Sequence, residues 1–136
     1  MLKARDLMSP QVIAVGPDDP VQKAISLMLR HRLSGLPVVD GSGRLLGMLS
    51  EFDLLDLVWA PQTGGEVYRY MTRDVHAVDE KAGLSTVAER LRQWGVGRLP
   101  VTSEGRLVGV VCRGDVLRHL PPPVKQVPSA AVACKS

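Results

Sequence analysis

Aromatic residues are scarce in this chain of 136 residues: Phe52, Trp59, Tyr68, Tyr70 and Trp94 are all of them. A core must therefore be built from Val, Leu, Ile, Met and Ala. No apolar run approaches the roughly 18–20 residues of a membrane span. The best stretch, LVGVVC at 107–112, is bracketed by Arg106 and Arg113. The opening residues, MLKARD, lack the apolar segment of a secretion signal. Cysteine is limited to Cys112 and Cys134, and the expectation is two free thiols in a cytoplasmic protein. His31, His76 and His119 are scattered, and no Cys/His cluster has zinc spacing, so no metal is expected. No GxSxG turn or phosphate loop places the serines, histidines and aspartates for chemistry. No catalytic residue is assigned, and the chain does not read as an enzyme.

What is present fits one soluble globular unit. Hydrophobic residues make up 45% and charged residues 23%, which argues against disorder. A chain of this size hides roughly 65–70% of its unfolded surface. The net charge of +3 is uneven: residues 1–66 carry six basic and eight acidic side chains, residues 67–136 eleven and six. The excess is local and forms no basic run, so a small anionic ligand suits it at least as well as nucleic acid, which is disfavoured as a partner.

The strongest signal is an internal repeat. MSPQVIAV at 8–15 matches MTRDVHAV at 71–78, an offset of 63 that also carries LPV at 36–38 onto LPV at 99–101. After a one-residue deletion, GRLLGMLSEFDLL at 43–55 matches GRLVGVVCRGDVL at 105–117. The repeats are set at residues 7–57 and 70–120, with a linker at 58–69 and a Pro-rich tail at 121–136 that favours extended polyproline geometry.

Each copy reads β-α-β-β-α. A short strand (12–15; 75–78) leads to a helix, with Asp19 as N-cap and Pro20 in the first turn of the first copy. Val21, Ala24, Ile25, Met28 and Leu29 follow the 3.6-residue period, as do Leu84, Val87, Ala88 and Leu91, and Gly95 marks a stop. Strands at 36–39 and 99–102 then join strands at 44–50 and 106–112 through Gly-rich hairpin turns. A last helix starts near Asp53 or Asp115. About 50 residues make a marginal core, so the expected fold is α/β of the α+β type. Its two repeats pack about a pseudo-two-fold axis as one compact module, with related clefts between them. Trp59 and Tyr68 of the linker, with Tyr70 next to it, are read as a cap on that module or an interaction surface, and Trp94 as a shield at its helix end.

The Met-Ser/Thr-x-x-Val start, the Leu-Pro-Val strand and the Gly-hydrophobic-hydrophobic-Ser-x-x-Asp corner, each present twice, resemble the CBS (cystathionine beta-synthase) domain over about residues 4–120. The resemblance implies a stand-alone tandem pair, a homodimer, and a sensor that binds an adenosine-containing ligand: AMP, ADP, ATP or S-adenosylmethionine. It also implies a regulated protein partner. It implies ribose contacts from the corner Asp, ribose or phosphate contacts from the Ser three residues earlier, and a base pocket from the first and Leu-Pro-Val strands. Carried over, one set is Ser50 and Asp53 with Ile13, Ala14, Leu36 and Pro37. The other is Cys112 and Asp115 with His76, Ala77, Leu99 and Pro100. Arg98, Arg113, Arg118 and His119 are candidate phosphate partners beside the second set, and Lys3, Arg5 and Arg32 beside the first.

The residues themselves leave a plainer alternative open. Ser50-Glu-Phe-Asp53 is also a capping box, and Asp115 also suits a helix start through the dipole alone. Cys112 is a weak donor where the family has Ser or Thr, which favours the first motif. The charge favours the second half. A ligand-free oligomerisation or scaffold module is the competing reading.

Overall fold

Two hairpins of the same design organise the chain. In the computed structural model, which describes residues 1–60 and 65–121, β1 (Gly35–Val39) pairs antiparallel with β2 (Leu45–Ser50). β4 (Arg98–Ser103) pairs antiparallel with β5 (Arg106–Cys112). The register slips at Val38/Val39 and again at the equivalent Val101/Thr102, so each hairpin bends at the same place. Asp40 fastens the first turn by accepting from the Ser42 and Arg44 N–H groups, both at 2.9 Å. Gly43 and Gly105 supply the positive φ (89° and 82°) that each turn needs.

The two long helices follow the apolar periodicity. α2 (Val21–His31) buries Val21, Ala24 and Met28, and α4 (Leu84–Trp94) buries Val87 and Leu91. The expected N-cap moves by one residue: Pro20 caps α2. Asp19 instead accepts from the Gly16 N–H at 2.8 Å and pairs with Lys23 at 3.2 Å. Helix ends are left-handed, at Arg32 (φ 54°) and Gly95 (φ 62°). The short C-terminal helices of the repeats are α3 (Glu51–Leu54), extended by a 3-10 turn at Leu55–Val58, and α5 (Arg113–Leu117).

The expected first strands shrink. Of residues 12–15 only Val15 pairs, in a parallel bridge with Val38. In the second copy β3 is Val78–Asp79, parallel to Val101–Thr102. The reason is a crossover. Ser9 pairs with Val110 of the second repeat and Thr72 with Met48 of the first. The intervening residues must therefore travel from one repeat to the other and cannot stay in one sheet.

That exchange ties the halves together. A helix not foreseen from the sequence, α1 (Ala4–Leu7), buries Ala4 and Leu7 in the core of the second repeat, beside Val87, Leu99 and Val111. Val67, Tyr70 and Met71 complete the core of the first repeat, around Leu36, Val38 and Leu49. Each half therefore lacks part of its core without the other half's chain. At the hairpin tips Arg44 bridges its own equivalent, Arg106, with Leu45 N–H to the Gly105 carbonyl at 3.0 Å and Leu107 N–H to the Gly43 carbonyl at 2.9 Å. A pseudo-two-fold axis passes through that pair. Close approach also explains a shared glycine: a Cβ on Gly47 would lie 2.6 Å from the Thr72 carbonyl oxygen, and one on Gly109 2.8 Å from that of Ser9.

Of the aromatics in and beside the linker, Tyr70 packs on the first core while Trp59 is 79% exposed. No helix among the described residues is long and apolar enough to cross a membrane. The expectations for Cys134 and the Pro-rich tail lie outside the described residues.

Candidate functional site

Both strand-to-helix corners are built around an aspartate. At the first, Asp53 Oδ2 accepts from the Ser50 N–H at 2.8 Å and from the Ser50 hydroxyl at 3.0 Å. Ser50 Oγ also lies 3.3 Å from the Asp53 N–H, closing the capping box. All of these bonds use Oδ2, which leaves Oδ1 for another donor. At the second corner Asp115 Oδ2 accepts from the Cys112 N–H at 2.7 Å, while Oδ1 is held in an ion pair by Arg118. His119 Nδ1 sits 2.8 Å from the Asp115 carbonyl oxygen. Asp115 thus has a structural role of its own, and its second oxygen is already engaged.

A cleft of about 440 Å³ opens between the repeats at the first corner. Ser34, Gly35, Met48, Leu49 and Ser50 line one side, and Thr72, Asp74, His76, Arg98, Leu99 and Pro100 the other. Arg98 donates to the Gly35 carbonyl oxygen at 3.3 Å across the axis, and burial pushes its guanidinium below its usual pKa. Arginine stays charged through such a shift, so the cleft holds a partly desolvated cation. His76 stacks on Trp94 with ring centroids 4.1 Å apart and planes at 20°, and Arg90 covers the same indole at 5.6 Å. Trp94 therefore orients His76 at the cleft as well as packing on the second core.

This arrangement regroups the sequence-based sets. Ser50 of the first repeat comes together with His76, Arg98, Leu99 and Pro100 of the second. Ile13, Ala14, Leu36, Pro37, Ala77, Cys112 and Asp115 do not line this cleft, and Asp53 stands just behind Ser50. Lys3 and Arg5 lie against the second repeat, where Lys3 bridges Gly83 and the Arg5 N–H reaches the Glu80 carbonyl at 3.0 Å. Arg32 lines a groove on the outer helical face. Neither they nor Arg113, Arg118 and His119 reach the cleft lining. Thr72 and Asp74 were missed, although Thr72 is the Ser/Thr of the repeated MS/MT motif.

The pseudo-two-fold axis defines what a second cleft would contain. The equivalents of Ser50, His76, Arg98, Leu99 and Pro100 are Cys112, Ile13, Gly35, Leu36 and Pro37. That set has neither the hydroxyl nor the two basic groups. The better motif of one repeat and the better charge of the other meet in a single cleft.

A model of the CBS domain matches residues 4–60 and 65–122. The chain is a tandem CBS pair. Hypoxic response protein 1 of Mycobacterium tuberculosis is 34% identical to it over 127 residues, covering 89% of this chain and 87% of that protein. The CBS domain-containing protein YhcV of Bacillus subtilis is 31% identical over 118 residues, covering 85% and 84%. Among solved structures, Arabidopsis thaliana CBSX2 in complex with AMP superposes with a TM-score of 0.77 at 31% identity, covering 85% of this CBS pair and 93% of that chain. A structure of Hypoxic Response Protein I with two coordinated zinc ions gives a TM-score of 0.77 at 31% identity, covering 88% and 100%. Among the described residues of this CBS pair no three His, Cys, Asp or Glu side chains converge on a metal site.

Proposed function

We propose that this CBS pair is a regulatory module, without catalytic activity of its own, that binds an adenosine-containing ligand in the cleft between Ser50 and Arg98. AMP, ADP, ATP and S-adenosylmethionine are the candidate ligands. The observation that carries the reading is the composition of that cleft, which combines hydroxyls, the basic His76 and Arg98, the acidic Glu51 and Asp74, and an apolar wall. The AMP complex of CBSX2, a neighbour of the same fold, supports the ligand class.

In this reading Asp53 Oδ1 accepts from a ribose hydroxyl and Ser50 contacts ribose or phosphate. Arg98 and His76 face a phosphate, and Leu99, Pro100 and Met48 pack on the base. Ile13, Ala14, Leu36, Pro37, Ala77, Cys112 and Asp115 belong to the lesser, pseudo-symmetric cleft. The working unit is residues 7–57 and 70–120, joined by the linker at 58–69 and followed by the tail at 121–136. The pair acts as a homodimer on a separate protein. Ligand bridges the two repeats and favours the geometry in which it binds better, which is the only way occupancy can shift partner choice.

Thermal unfolding in the presence of AMP, ADP, ATP, NADH and S-adenosylmethionine tests this. Ligand at 100 times its Kd adds about 2.7 kcal/mol of stability. A clear rise in Tm with one or more of them is expected. No rise with any of them returns the protein to the scaffold reading.

A further inference from the structure

We infer that two carboxylates at the rim of the cleft, Glu51 and Asp74, set its selectivity: it takes an adenosine ligand with at most one phosphate and binds ADP and ATP poorly. The inference rests on the adenosine-binding reading above and narrows it. Four titratable side chains line the cleft: Glu51, Asp74, His76 and Arg98. Arg98 is the permanent cation among them, and it is half-buried in the wall, whereas Glu51 and Asp74 are exposed. Neither carboxylate appears in an ion pair among the described residues. A phosphate monoester carries about −1.5 to −2 at neutral pH, and one such group has Arg98 and His76 to rest on. A longer phosphate chain must run on from there towards solvent, past the two carboxylates, and like charges at short range repel. The sulfonium of S-adenosylmethionine is a cation and meets no such barrier.

The fold does not require these acids. The pseudo-two-fold axis sets Arg113 at the equivalent of Glu51 and Gln11 at that of Asp74. It sets Arg32 at the equivalent of Gly95, another residue of the cleft lining. The two corners are otherwise alike: the Glu51 N–H donates to the Ser34 carbonyl oxygen at 2.8 Å, and the Arg113 N–H to that of Gly97 at 3.0 Å. An acid is favoured at a helix start through the dipole, yet α5 begins on Arg113, and Asp74 lies on no helix. The dipole therefore accounts for at most one of the two carboxylates. The other half of the module is basic at the positions where this cleft is acidic.

Isothermal titration of AMP, ADP and ATP into the full chain, with EDTA present to remove divalent cations, is the test. ATP should bind at least tenfold more weakly than AMP, with ADP between them. Glu51→Arg combined with Asp74→Gln, which copies the residues of the other half, should close most of that gap by raising ATP affinity more than AMP affinity. Circular dichroism checks that this double variant folds. Added salt shortens the reach of the carboxylates, so it should narrow the same gap in the unsubstituted protein. ATP binding as tightly as AMP overturns the inference, as does a gap that the folded double variant retains. Should the variant not fold, a gap indifferent to salt overturns it instead. No binding of AMP, ATP or S-adenosylmethionine overturns the adenosine reading itself, which a mere failure of selectivity leaves standing.

Discussion

Met48 of the first repeat and Thr72 of the second exchange two backbone hydrogen bonds, at 2.9 and 2.8 Å. Val110 and Ser9 make the equivalent exchange at 3.0 and 2.9 Å. Beside the first pair, Gly47 leaves no room for a Cβ, which would meet the Thr72 carbonyl at 2.6 Å. Gly47→Ala should therefore destabilise the module by about 1–3 kcal/mol, the usual cost of overpacking. Gly41→Ala, at a turn position with nothing within 4 Å, should stay within about 0.5 kcal/mol. Urea unfolding monitored by circular dichroism measures both.

The cores make a related prediction. Leu36 and Leu99 are at equivalent positions and are 0% and 1% exposed. Truncating either to Ala should cost about 2–5 kcal/mol. Because α1 completes the second core and residues 67–71 the first, the loss should appear as one cooperative transition at lower denaturant in calorimetry or urea titration. Two separately melting halves would contradict the shared-core arrangement.

The two corner aspartates should part company. Asp53→Ala and Asp115→Ala each remove a carboxylate that caps a helix start, at a cost of about 0.5–2 kcal/mol. Only Asp53→Ala should also abolish ligand-induced stabilisation, because Asp115 is committed to Arg118. Tm with and without ligand, measured for both variants, separates capping from binding.

Acid should release a third carboxylate. The Gly16 N–H, followed by Lys23, holds the Asp19 carboxyl below its ordinary pKa of 3.8, outweighing the opposing effect of burial. A folded-state pKa below the unfolded one gives stability that is present above the unfolded value and lost as pH falls through the folded value. The Tm gap between the unsubstituted protein and Asp19→Ala should be full above about pH 5 and close progressively below 3.8. A gap that widens on acidification would contradict the assignment.

Much of this architecture is legible in the residues because each local signal agrees with the fold. The apolar spacing of Val21, Ala24 and Met28 sets α2, Gly95 ends α4, and Gly43 and Gly105 make the turns. What the sequence could not display is which chain segment serves which half. Residues 8–15 look like part of the first repeat, yet Ser9 pairs with Val110. The same exchange explains the regrouped site. Ser50 and Arg98 each belong to a recognisable motif, but only the crossover puts them on one cleft.

Isothermal titration of AMP into the full chain, run beside Arg98→Met and Asp53→Ala, tests the central claim most directly. The account predicts saturable binding of one AMP per chain, carried by the first cleft and lost or weakened at least tenfold in both variants. No heat at millimolar AMP, or binding that both variants retain unchanged, would contradict it.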